Sequence, residues 1–108
     1  MIEHAHDSPE VERWKQLRFD CITVDQLISP TPAFIYKAII ASDSSGICTA
    51  TIYDGHDANG DRRIPMTCID DYMWGLEFST PVYFQYGIYV DVGDNVLGLM
   101  IHYLPVNE

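Results

Sequence analysis

Positive charge is scarce in this 108-residue sequence: 6 Lys and Arg stand against 16 Asp and Glu, for a formal net charge of −10. A field of that sign repels phosphates and argues against nucleic acid as a partner of the whole domain. It also keeps a chain rich in β-formers soluble. Cysteine is limited to Cys21, Cys48 and Cys68, with no Cys-x-x-Cys pair. An odd count at that spacing indicates neither a disulfide framework nor a zinc motif. Each Cys lies among β-formers, where a free thiol packs as a small hydrophobe, and buried reduced thiols suit a protein made in a reducing cytoplasm. No apolar run is long enough to span a bilayer, and residues 1–18 are polar and acidic rather than signal-like, so no membrane partner is expected.

The parts of a catalytic site are missing too. There is no Gly-x-Ser-x-Gly, no phosphate loop and no Cys–His pair with an orienting residue. Asp70 and Asp71 are adjacent carboxylates, but neighbours on a strand point to opposite faces and would not share a substrate. His4 and His6 form an incidental His-x-His, and His102 has no second His or acid nearby to complete a metal set. The segment "DGHDANGD" offers oxygen donors at Asp54, Asp57, Asn59 and Asp61. A calcium loop needs a late bidentate Glu, and Cys68 and Ile69 stand in that region instead. The expectation is a protein that is not an enzyme, with no metal and no cofactor.

What is present is a single-domain composition: 47% hydrophobic and 12% aromatic residues, with seven Tyr. Residues 1–18 differ from the rest. Ser8-Pro9 followed by Glu10 and Glu12 is a helix start. Val11, Trp14, Leu17 and Arg18 then fall on one side at helical spacing. Half of the bases, Arg13, Lys15 and Arg18, lie within six positions. Residues 9–18 are expected to form a short helix, or an arm that becomes helical on a partner, since a helix this short is marginal alone. The expected partner-binding residues are Val11, Arg13, Trp14, Leu17 and Arg18.

From Phe19 to residue 108 the period changes to two, which marks a β domain. "CITVDQLI" reads as one strand, with Gln26 breaking its apolar face. "AFIYKAIIAS" and "ICTATIYD" read as a hairpin across "DSSG". "RRIPMTCI" is confined to an edge or a bulge by Pro65. "DD" breaks the chain, "YMWGLEF" is the fifth strand, and "STP" leads to the next, "VYFQYGIYVDV". "GIYVDV" and "VLGLMIHYL" follow as a closing hairpin across "GDN". In it Ile88, Val90 and Val92 share one face, and Leu97, Leu99, Ile101 and Tyr103 share another. Turn signals at short spacing predict an all-β, antiparallel, jelly-roll-like β-sandwich of about seven strands, carrying a short N-terminal arm that is helical or extended. Exposed aromatics around Tyr53 offer an alternative to protein docking: a sugar or receptor site at Tyr53, Asp54, Asp57, Asn59 and Asp61.

Two stretches, "IYKAIIASDSSGICTATIYDGHDANG" and "FSTPVYFQYGIYVDVGDNVLGLMIHYLP", resemble small β-sandwich structural proteins of tailed bacteriophages. The shared look is a strand ending in Tyr53-Asp54-Gly55, a short polar loop, and a later "GLYVDVG"-type strand at Gly87 to Gly93. The resemblance covers residues 33–104. Residues 1–32 lie outside it, and "RRIPMTCIDDYMW" departs from it. It implies a capsid cement or decoration protein, or a head or tail accessory protein, located in the virion after synthesis in the host cytoplasm. It further implies a homotrimer and a partner that is the major capsid protein or another virion protein. It carries over no catalytic residues.

Overall fold

The computed structural model describes residues 18–69 and 72–106. They form eight strands: β1 (Arg18–Ile22), β2 (Gln26–Ser29), β3 (Ala33–Ser42), β4 (Cys48–Asp54), β5 (Asp61–Cys68), β6 (Met73–Phe84), β7 (Ile88–Val92) and β8 (Val96–Pro105). The period of two decides this. In β4, Cys48, Ala50, Ile52 and Asp54 are buried while Thr49, Thr51 and Tyr53 are half-buried, and in β5 Ile64, Met66 and Cys68 point inward.

The strands lie in two four-stranded sheets, β1-β8-β3-β6 and β2-β7-β4-β5, and every pairing is antiparallel. Every connection except β4–β5 crosses from one sheet to the other. First pairs with last, second with seventh, third with sixth and fourth with fifth. This is one long hairpin rolled up, the jelly-roll topology. The inner faces form one core around Ile35, Ile40, Ile52, Met66, Phe84, Ile88, Val90, Leu99 and Ile101.

The sandwich is the expected one, but several local expectations fail. β3 and β4 do not pair with each other. Their link contains Ser44 at φ 74° and Gly46 at φ 152°. It is longer than a two-residue hairpin turn and carries the chain to the opposite sheet. β7 and β8 are likewise no hairpin: β7 pairs with β2 and β4, and β8 with β1 and β3. Gly93 N–H is drawn to Thr49 O at 2.8 Å, and Asn95 at φ 59° turns the chain across. "CITVDQLI" divides into β1 and β2, with the Asp25 carboxylate capping Val92 N–H at 2.7 Å. "STP" does not separate two strands, and "VYFQYGIYVDV" is not one strand: the break comes at residues 85–87, between β6 and β7. β6 runs through "STP" as a bulge, since the register steps from Ile35–Val82 to Lys37–Glu77. Pro81 is tolerated there because β6 is an edge strand, as is β5 with Pro65. Leu97 leaves the face of Leu99 and is 65% exposed, because the register steps from Ala41–Gly98 to Ser42–Val96 and bulges it outward. The expected helix over residues 9–18 lies outside the described residues except for Arg18, which opens β1 opposite Tyr103.

The thiols are free: Cys21 is exposed, and Cys48 and Cys68 are buried opposite one another in the β4–β5 ladder. Burial, then the neighbouring Cys68, push the Cys48 thiol above its usual pKa, so little thiolate forms there. β1 is tied to β8 by the Tyr103 hydroxyl, which donates to Asp20 Oδ2 at 3.0 Å. Burial, then the Asp20 hydrogen bond and charge, push this phenol up to about 12. An unfolded tyrosine ionises near pH 10. The folded state therefore keeps a proton that the unfolded chain gives up, and stability contributed below pH 10 is lost as pH rises through about 12. Melting temperature is expected to fall across that interval, and Tyr103→Phe is expected to flatten this component of the fall. A variant curve parallel to that of the parent would exclude Tyr103 as a source.

Candidate functional site

The roll places the β2–β3, β4–β5 and β6–β7 loops at one end and the other four connections at the opposite end. The first end is polar and tightly tied. Asp54, buried at the end of β4, accepts Gln85 N–H on Oδ2 at 3.0 Å and Tyr86 N–H on Oδ1 at 2.8 Å. Arg63 Nη1 lies 3.5 Å from Asp54 Oδ2, and its guanidinium sits over the Phe84 ring at 5.5 Å. Gly55 N–H donates to Gly87 O, and His56 Nε2 contacts Pro30 O at 2.9 Å. Within the β4–β5 loop, Asp57 Oδ1 accepts Asn59 N–H at 2.9 Å. A shallow cleft of about 300 Å³ remains, lined by Asp54, Asp57, Asn59, Asp61 and Tyr86 among others.

The loop residues named from the sequence are therefore split. Asp57, Asn59 and Asp61 border the cleft. Asp54 also borders it, but its oxygens are engaged by backbone N–H groups and Arg63. Tyr53 turns to the outer face of its sheet, where it meets Tyr89 with ring centroids 6.4 Å apart and planes at 52°. Burial, then Asp25, Asp91 and Asp57, raise the Tyr89 phenol above its usual pKa, so this aromatic pair sits in an acidic surround. Among the described residues no group of three or more His, Cys, Asp or Glu side chains converges on a metal position.

The opposite end is apolar. Val24, Ile47, Ile69, Tyr72, Met73, Trp74 and Leu97 are all exposed there, whereas Leu27, Tyr83 and Tyr86 are the exposed large hydrophobics found elsewhere among the described residues. The ladders bring most of them together. Ile47 and Ile69 lie one residue beyond the Cys48–Cys68 pair that ends the β4–β5 ladder. Tyr72 O accepts Ser42 N–H, and Met73 faces Ala41, which faces Gly98 beside Leu97. Where the edge strands β5 and β6 diverge, a cleft of about 330 Å³ opens, lined by Thr67, Cys68, Ile69, Tyr72, Met73 and Trp74. The loops of this end carry Asp25, Asp43 and Asp94 and, among the described residues, no Lys or Arg. An exposed apolar patch rimmed by polar groups marks an interaction surface.

The first set of expected partner residues, Val11, Arg13, Trp14 and Leu17, lies outside the described residues. Arg18 is exposed on the edge strand β1. The apolar end was not among the expected sites. Its signal was present in the sequence: Val24, Ile47 and Ile69 each stand beside a turn residue, where apolar side chains have no inner face to occupy. Comparison of this chain with protein-family models, with curated proteins and with solved structures finds no match.

Proposed function

We propose that this chain is a non-catalytic structural protein of a phage particle, of the capsid cement or decoration kind, which works by docking on protein. The observation that carries the docking part is the apolar end. Seven exposed large hydrophobics lie on the loops and strand ends of one pole, four of them (Ile69, Tyr72, Met73 and Trp74) around a cleft, and the loops of that pole carry acids. A rim of one charge sign rejects most partners and favours a basic, apolar one. The resemblance of residues 33–104 to phage β-sandwich proteins supplies the particle, with a capsid subunit as the larger partner. The test is to purify particles from the phage or prophage that encodes the chain and weigh their proteins by mass spectrometry. Stoichiometric presence is the expected result; absence from intact particles would overturn the reading.

A second reading has its own observation. Tyr53 and Tyr89, flanked by Asp25, Asp57 and Asp91, form an aromatic and acidic patch of the kind that binds a sugar or receptor. Glycan-array binding that disappears in Tyr89→Ala would favour it over docking.

A further inference from the structure

We propose that the apolar end of each copy receives the N-terminal segment of a neighbouring copy, with Trp14 seated in the cleft between β5 and β6. This rests on the reading of that end as a protein-docking surface and names its partner. The chemistry matches on both sides. Within the segment, residues 11–17 hold Val11, Trp14 and Leu17 with two bases, Arg13 and Lys15, against one acid, Glu12, so this stretch is half-apolar and slightly positive in an otherwise acidic chain. The receiving end is apolar with Asp25, Asp43 and Asp94 around it. The cleft of about 330 Å³ is near the small limit for ligand pockets and suits one large side chain better than a whole small molecule. Trp is the residue type most often found as such an anchor.

Chain geometry assigns the segment to a second copy. Arg18 opens β1 opposite Tyr103, at the edge of its sheet farthest from β6. Trp14 precedes Arg18 by four residues, so its Cα lies at most about 14 Å away. From Arg18, the level of Met73 is about 17 Å along the strands (the five residues from Tyr103 back to Gly98) and about 14 Å across three inter-strand gaps, roughly 22 Å in all. Cys68 lies a further ~10 Å away, across the sandwich. A chain's own Trp14 comes near its own cleft only if the four-residue link runs fully extended straight toward it and the indole spans what remains, whereas a neighbour's segment meets no such constraint. The contact is head-to-tail, and repetition of such a contact closes into a ring or extends as a filament.

The experiment is sedimentation velocity on four samples of the full chain: wild type, Trp14→Ala, Met73→Asp, and an equimolar mixture of the two variants. Wild type should associate with rising concentration. Each variant alone should lose about thirtyfold or more in self-affinity, the loss typical of an interface anchor. The mixture should form one-to-one dimers that grow no further, because an intact arm on one variant meets an intact cleft on the other. Met73 is exposed, so its substitution should leave the far-ultraviolet spectrum unchanged; Ile69→Asp, equally exposed, replaces it if it does not. A wild type that stays monomeric, or a Trp14→Ala that associates as wild type does, would overturn the inference. Neither result bears on whether the chain is present in particles.

Discussion

Asp54→Ala is expected to destabilise the protein by about 3 kcal/mol. Two backbone N–H groups, those of the exposed turn residues Gln85 and Tyr86, lose the buried carboxylate that accepts them, and a hydrogen bond to a charged group contributes about 1.5–3 kcal/mol. Arg63 adds little to the loss, since its side chain is 40% exposed and keeps its water when the partner is gone. For a domain of about 100 residues the melting temperature should fall by about 12–24 °C. Asp54→Asn should lie between parent and Ala: its amide oxygen can still accept Tyr86 N–H, but its amino group faces the donor of Gln85. Arg63→Ala should cost much less than either. Thermal unfolding of the three variants checks the order. If Arg63→Ala equals Asp54→Ala, the ion pair and not the backbone capping is what holds this corner.

Asp54 also shows where sequence reasoning stops. Its place in "DGHDANGD" put it among exposed oxygen donors, yet it continues the inward alternation Cys48, Ala50, Ile52 by one further step. The period of two had already assigned it to the interior; loop composition obscured that. Strand positions were legible for the same reason. "AFIYKAIIAS" is β3 residue for residue, and Pro65 does mark an edge. Pairing was not legible. Alternation says which side chains point inward but is silent on which neighbour supplies the ladder. Both presumed hairpins have links that turn the chain out of its sheet, through Ser44 and Gly46 in one case and Asn95 in the other. The bulges at Leu97 and at residues 78–81 depend on a partner strand and leave little trace in either strand alone. The apolar end was missed because its residues belong to separate connections and to the adjoining ends of β6 and β8, which only the roll brings to one pole.

Gly87→Ala should rival the loss at Asp54, at about 3 kcal/mol. Gly87 has φ 140°, a conformation that residues with a Cβ rarely adopt. A Cβ built there would also drive into the carbonyl oxygen of Ser29, with the His56 ring and Gly55 O close behind. Strain of about 1–3 kcal/mol for the backbone and a similar amount for overpacking set the scale. Ser29 is the residue of β2 that pairs with Ile88, so relief by movement would open the β2–β7 ladder at its bulge. Gly98→Ala is the control. Gly98 is also buried, but it has no such φ, and its nearest obstacle is the Cys21 thiol at 3.2 Å, a side chain that can rotate away. That substitution should stay within about 1 kcal/mol of the parent. Asp54 and Gly87 both fix the Gln85–Gly87 turn, one by capping its N–H groups and one by allowing its closest approach to β2. Once either is lost the turn is free to move, and the second substitution has less left to break. The double variant should therefore be more stable than the sum of the single losses predicts, by about 1 kcal/mol. Strict additivity in urea unfolding would mean that the turn is held at two independent points, and that the polar end is not the single tied unit its hydrogen bonds describe.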